Sequence, residues 1–184
     1  MLLADFSGLR ATDRRLKALR EAGYLNRQKY IYGVPYLYSL THKGRILLGS
    51  NKRQDKIRLD RIAHDIFVLE SVIYYVKKDN VSLSVIESEK ELHIKDGFGT
   101  RKHHPDFVFS YDGQKIAVEI ELNPKAKSRM EQNIRDNYLN FDLQKWITND
   151  NKVIALLENF ANEYSNIDVI RLEEVLEYVR ERYK

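Results

Sequence analysis

Apolar residues recur along this chain in several distinct periods, and the switches between them mark out its elements. Leu9, Leu16 and Leu19 return at near-helical intervals within residues 8–25, and Gly23 follows Ala22 where a helix C-terminus is expected. Thr12 and Asp13 sit where a cap or first turn would lie, and such a helix presents Arg10, Arg14 and Lys17 on one solvent face. From Tyr24 to Leu40 the pattern turns extended, with Gly33 and Pro35 suiting a hairpin turn between two aromatic-rich strands. A short helix follows from Thr41 to Leu48. Residues 51–60 are polar and charged, and they read as a linker between residues 1–50 and a domain of residues 61–184.

Beyond the linker, Ile62, Ile66, Leu69, Ile73 and Val76 form one core-facing helical stripe. His64 in its first turns reads as a structural residue rather than a ligand. Val81, Leu83 and Val85 alternate with serines as a half-buried strand, whose parity continues into Glu87 and Glu89. Asp96-Gly97-Phe98-Gly99 reads as a turn or mobile loop. Residues 106–110 and 115–122 are predicted strands joined by the hairpin signal Asp112-Gly113. A helix near 125–139, with Met130, Ile134 and Tyr138 as its core face, precedes strand 141–148, helix 151–164, strand 167–171 and a final helix to about Tyr183. The expected fold class is α/β, an α+β arrangement around a mixed sheet.

Charge divides unevenly over these segments. Residues 1–60 hold 13 Lys/Arg against 5 Asp/Glu, a net of +8, whereas residues 61–184 hold 18 against 22, a net of −4. A basic segment joined to an acidic domain points to a phosphate-rich partner for the first part. The chain has no cysteine, which excludes disulfides and thiolate zinc sites. No stretch approaches the roughly 20 apolar residues of a membrane span, and no leader pattern opens the chain, so a cytoplasmic protein is expected. A GxxxxGK[ST] loop is absent, which argues against a nucleotide-driven motor. His103 and His104 are adjacent and would point to opposite faces of a strand, unlike a two-histidine relaxase centre.

The candidate chemistry lies on the two central strands. Period-2 alternation places Glu119 and Glu121 on one face, about 6.5 Å apart at their backbones, and the hairpin brings Asp106 toward the Glu119 end. Oxygen clusters of this kind suit Mg²⁺ or Mn²⁺, with Asp106, Glu119 and Glu89 as candidate ligands and Glu121 as a further catalytic candidate. Lys125, Lys127 and Arg129 then form an unusually basic start to the next helix, where Lys125 could meet a scissile phosphate.

Two resemblances follow from these residues. The basic helix, Gly23-Tyr24-Leu25, a short hairpin and Leu40-Thr41-His42-Lys43-Gly44 resemble the back half of a winged helix-turn-helix domain. That likeness implies double-stranded DNA as partner, with Arg14 and Arg15 contacting bases or phosphates and Lys29 and Tyr30 acting from the wing. Pro105-Asp106, twelve intervening residues, then Glu119-Ile120-Glu121 in an αβββαβ order resemble the PD-(D/E)xK nuclease superfamily. The resemblance implies metal binding by Asp106 and Glu119; Glu121 stands where that superfamily usually has lysine, a gap Lys125 or Lys127 could fill.

The whole chain is also similar to the replication-relaxation family of plasmids and mobile elements, through the winged-helix front, His64-Asp65, Glu87-Ser88-Glu89-Lys90-Glu91-Leu92, Pro105-Asp106 and Val118-Glu119-Ile120-Glu121. Membership implies a DNA-binding protein acting in replication, relaxation or transfer on a nuclease-like scaffold with weak or no cleavage. An active Mg-dependent endonuclease is the alternative. A homodimer and other replication or transfer proteins are the further expected partners.

Overall fold

A computed structural model describes residues 8–30, 36–50, 58–97 and 102–181. The chain separates into two compact units, Met1–Ile62 and Ala63–Lys184. The expected Gly33-Pro35 turn, most of the 51–60 linker, and Phe98 and Gly99 lie outside the described residues.

In the first unit, α1 (Leu9–Glu21) ends in a left-handed glycine. Gly23, at φ 77°, allows its own N–H to reach Arg20 O and the Tyr24 N–H to reach Leu19 O, both at 2.9 Å. This is the Schellman arrangement that satisfies late helical carbonyls. Of the two places expected for Thr12 the structure has the first turn: Gly8 precedes the helix, and the Thr12 hydroxyl donates to Gly8 O at 3.1 Å. Leu9 is exposed, and the half-buried face is Ala11, Thr12, Leu16 and Leu19. Strands β1 (Leu25–Gln28) and β2 (Leu37–Leu40) pair antiparallel, and α2 (His42–Leu47) follows.

The Thr41–Gly44 run has a role at each described contact. Thr41 caps α2 by accepting the Gly44 N–H at 3.1 Å and also donates to Gly23 O at 2.7 Å. Lys43 Nζ donates to Ala22 O at 2.9 Å, satisfying the end of α1. A Cβ on Gly44 would stand 2.3 Å from Tyr24 O, so only glycine permits this approach.

The second unit opens with α3 (Ile62–Lys78) and is built on a five-stranded sheet ordered β3-β4-β5-β6-β7: β3 (Glu87–Ser88), β4 (Phe107–Tyr111), β5 (Gln114–Ile120), β6 (Leu143–Thr148) and β7 (Ile167–Arg171). The first three strands are antiparallel neighbours and the last two run parallel to β5, so the sheet is mixed. Asp112 (φ 49°) and Gly113 (φ 75°) form the two-residue turn between β4 and β5, as the Asp-Gly signal requires.

Helices cover both faces. On one, Met130 and Ile134 of α5 (Lys127–Asn140) and Val153, Leu157 and Phe160 of α6 (Asn151–Ala161) pack with Trp146, while Leu92 of α4 (Glu89–Asp96) meets Val108 and Ala117. On the other, Tyr75 of α3 packs against Phe107 and Phe109, and Tyr74 meets Tyr178 of α7 (Leu172–Glu181). Seven α-helices and a mixed sheet thus make a mixed α+β fold among the described residues. No described helix is long and apolar enough to cross a membrane.

Two expectations are corrected here. The alternating Val81–Val85 run is a 3-10 turn, Leu83–Val85, with Leu83 and Val85 exposed; Ser82 draws in the Ser84 N–H at 3.3 Å, and such local serine bonds compete with a strand ladder. The strand is cut to Glu87–Ser88 because Ser88 and Glu91 form a capping box, the Ser88 N–H donating to Glu91 Oε2 at 2.8 Å, which starts α4 at Glu89. Tyr138 is exposed; Asn133 and Asn137 take inward positions on α5 instead.

Candidate functional site

The β4–β5 register pairs Phe107 with Val118, so the chain continues with Asp106 beside the Glu119–Ile120 step. Asp106 Oδ2 accepts the Ile120 N–H at 2.7 Å, which fixes the carboxylate against the end of β5. Its other oxygen lies 3.3 Å from His64 Nε2, from the first turn of α3. His64, expected as a structural residue, is partnered by the Asp106 carboxylate. That contact raises the His64 pKa, overcoming the opposing effect of burial.

Glu119 is almost fully buried, 4% exposed. Its Oε1 lies 2.6 Å from His103 Nε2 and accepts Asn137 Nδ2–H at 3.1 Å. Burial pushes the Glu119 pKa up, with nearby Asp106 adding repulsion while His103 and Asn137 pull the other way. Burial opposes charge on His103, yet the bond and charge of Glu119 prevail and its pKa is raised. The two side chains thus meet in a poorly hydrated place, where burial opposes charge on each and the partner favours it. Neither His103 nor Asn137 was singled out from sequence as a partner of Glu119. For Asn137 a signal existed: it lies seven residues after Met130, on the buried face of α5.

Glu121 is also buried, 5% exposed, just past β5, where its N–H extends the ladder to Ile147 O at 3.0 Å. Lys125 Nζ stands 2.5 Å from Glu121 Oε2 as an ion pair, and this buried oxygen has no hydrogen bond. Lys125 therefore neutralises Glu121, and Lys127 and Arg129 are exposed at the start of α5. Glu89 meets the group only through its backbone, its N–H donating to Asp106 O at 2.9 Å; its carboxylate lies 3.6 Å from His93 Nε2. His103 and His104 do face apart: His104 Nε2 is 2.9 Å from Asp96 Oδ2.

The donor set bears on Mg²⁺ or Mn²⁺ as follows. Glu119 Oε1 and Asp106 Oδ2 already receive N–H donors, and among the described residues no three His, Asp or Glu side chains are grouped so as to hold a metal ion.

In the first unit, Arg10, Arg14, Arg15 and Lys17 are all exposed along α1. At about 100° per residue, Arg10, Arg14 and Lys17 share one flank while Arg15 lies well round the helix. Lys29 is exposed, and Tyr30, half-buried, is bonded to the Gln28 side chain.

No family model matches the chain, and no curated protein matches it.

The histidine shifts have a consequence for stability. A raised folded-state pKa means the His64–Asp106 contribution is full below the unfolded value of 6.5 and is lost as pH rises through the higher folded value. Urea midpoints at about pH 6 and about pH 9 are expected to fall more for wild type than for His64→Gln. Equal pH dependence in both would remove the pair from the stability account.

Proposed function

We propose that this chain is a DNA-binding protein of a plasmid or other mobile element, acting in replication, relaxation or transfer. Its first unit is read as a partial winged helix, and its second as a nuclease-like scaffold with weak or no cleavage. The observation that carries the reading is the exposed cationic flank of α1, Arg10, Arg14 and Lys17, followed directly by an antiparallel hairpin. Such a flank neutralises phosphates and releases their counterions. The β3-β4-β5 meander followed by a helix and a parallel β6 supports the PD-(D/E)xK reading, because it brings an aspartate just before one strand beside a glutamate on the next. Weak cleavage is favoured by the state of the carboxylates: Glu119 is held by His103 and Asn137, and Glu121 by Lys125.

The second reading, a Mg-dependent endonuclease, draws on Asp106 standing beside Glu119. In that reading the two carboxylates would hold the ion, which would polarise a scissile phosphate, while Lys125 offers positive charge nearby. The test takes one duplex and two assays. Arg10→Ala with Arg14→Ala is expected to weaken duplex binding and to lower its salt slope by one to two, at about 0.9 per phosphate. An unchanged slope would move the DNA surface elsewhere. Supercoiled DNA incubated with Mn²⁺ is expected to stay equally intact with wild type and Asp106→Ala; nicking by wild type alone would establish the endonuclease.

A further inference from the structure

Between α1 and the hairpin lies a groove of about 270 Å³, lined by Asp13, Leu16, Lys17, Arg20, Arg27 and Tyr38. Three of the six are cations and one is an acid, so the groove carries an excess of two positive charges. Positions 13, 16, 17 and 20 form one face of α1 by helical spacing, and Arg27 and Tyr38 arrive from β1 and β2. The guanidinium of Arg27 lies 3.6 Å from the centre of the Tyr36 ring. A stacked guanidinium is held flat by its face and keeps its in-plane N–H edges for an oxyanion. Lys17 belongs both to this groove and to the exposed flank with Arg10 and Arg14.

We propose that this groove seats one backbone phosphate of a bound nucleic-acid strand between Arg20 and Arg27, with Lys17 joining it to the contacts along the flank of α1. The inference rests on the DNA-binding reading and goes beyond it by assigning Arg20 and Arg27, neither of which was expected from sequence. A free phosphate ion is a poor occupant. The cations are exposed, and isolated exposed ion pairs contribute little. A phosphate within a polymer is already brought to the groove by neighbouring contacts, so a weak local site suffices. Asp13 opposes the anion, which gives the groove a distinctive signature: removing this one acid strengthens binding.

Fluorescence anisotropy of a labelled duplex, over about 50 to 200 mM KCl, tests the assignment. Arg20→Ala with Arg27→Ala is expected to weaken binding roughly fivefold to tenfold near 0.1 M salt, the effect of one phosphate's counterion release at a slope of about 0.9. Because both arginines serve one phosphate, the double variant lowers the salt slope by about one and not two. Asp13→Asn is expected to tighten binding, an outcome that loss of folding cannot imitate, and circular dichroism confirms that each variant is folded. Inorganic phosphate at fixed ionic strength is expected not to compete. Unchanged affinity in both the arginine and the Asp13 variants, while Arg10→Ala with Arg14→Ala binds weakly, overturns the groove and leaves the DNA-binding reading standing. Competition by inorganic phosphate overturns the polymer assignment, and failure of wild type to bind duplex at all overturns both.

Discussion

Glu119→Ala is expected to destabilise the second unit by about 3 kcal/mol, the cost of removing one member of a buried charged pair. The carboxylate is 4% exposed, and its Oε1 serves both His103 and Asn137. Truncation leaves the Asn137 amide, itself 1% exposed, without its acceptor and His103 without the charge that raises its pKa. Glu119→Gln should cost only about 1 kcal/mol, because a glutamine carbonyl still accepts from Asn137 in nearly the same volume. The raised pKa of Glu119 points the same way, since a carboxyl that burial already inclines to bind a proton loses less when replaced by a neutral amide. Urea denaturation of the two variants checks the order. Glu119→Gln, being folded, also suits Mn²⁺ calorimetry: equal heats in it and wild type would remove Glu119 from any metal site.

Much of this arrangement was legible in the chain, and the reason is local. Asp112-Gly113 dictates a two-residue turn, and the turn dictates the register that sets Asp106 beside Glu119. The strands and helices after Trp146 follow from apolar periods long enough to outweigh competing local bonds. Some failures lie where side chains bond to nearby backbone, while Leu9 and Leu69 fit the apolar stripes by spacing and yet are exposed. The serines around Leu83 and the Ser88–Glu91 capping box turned an alternating strand pattern into a 3-10 turn and a helix. Tyr138 looked like a core residue by its spacing from Ile134, but Asn137, by finding Glu119, takes the inward position.

The partners of the carboxylates were the least legible. His64 is 42 residues from Asp106 and His103 is 16 from Glu119, and no spacing rule links residues across a sheet and a helix end. Lys125 was recognised for its charge, but its close neighbour is Glu121. A cation placed for a phosphate and one placed to neutralise a buried glutamate look the same in sequence.

Trp146→Ala carries the other large expected effect, about 3–5 kcal/mol. The indole is fully buried among Met130, Ile134, Val153 and Leu157, and its Nε1–H donates to Gln144 Oε1 at 3.0 Å. Alanine would leave a cavity and an unpaired amide oxygen on Gln144, whose own Nε2–H groups are bonded to Ile134 O and Asn166 Oδ1. Trp146→Phe refills most of the volume but not the hydrogen bond, so about 1–3 kcal/mol is expected from the unpaired oxygen alone. The two variants therefore separate packing from polar satisfaction. They also bear on the site, because the parallel register sets Trp146 directly beside Glu119 on β5. Burial is the main cause of the raised Glu119 pKa, and water admitted by the missing indole would relieve it. Carboxyl NMR titration of Trp146→Ala, under conditions where it stays folded, is expected to move Glu119 back toward its ordinary range. A Glu119 titration that did not move would mean that Asp106, the other group raising that pKa, accounts for more of the shift than the desolvating core does.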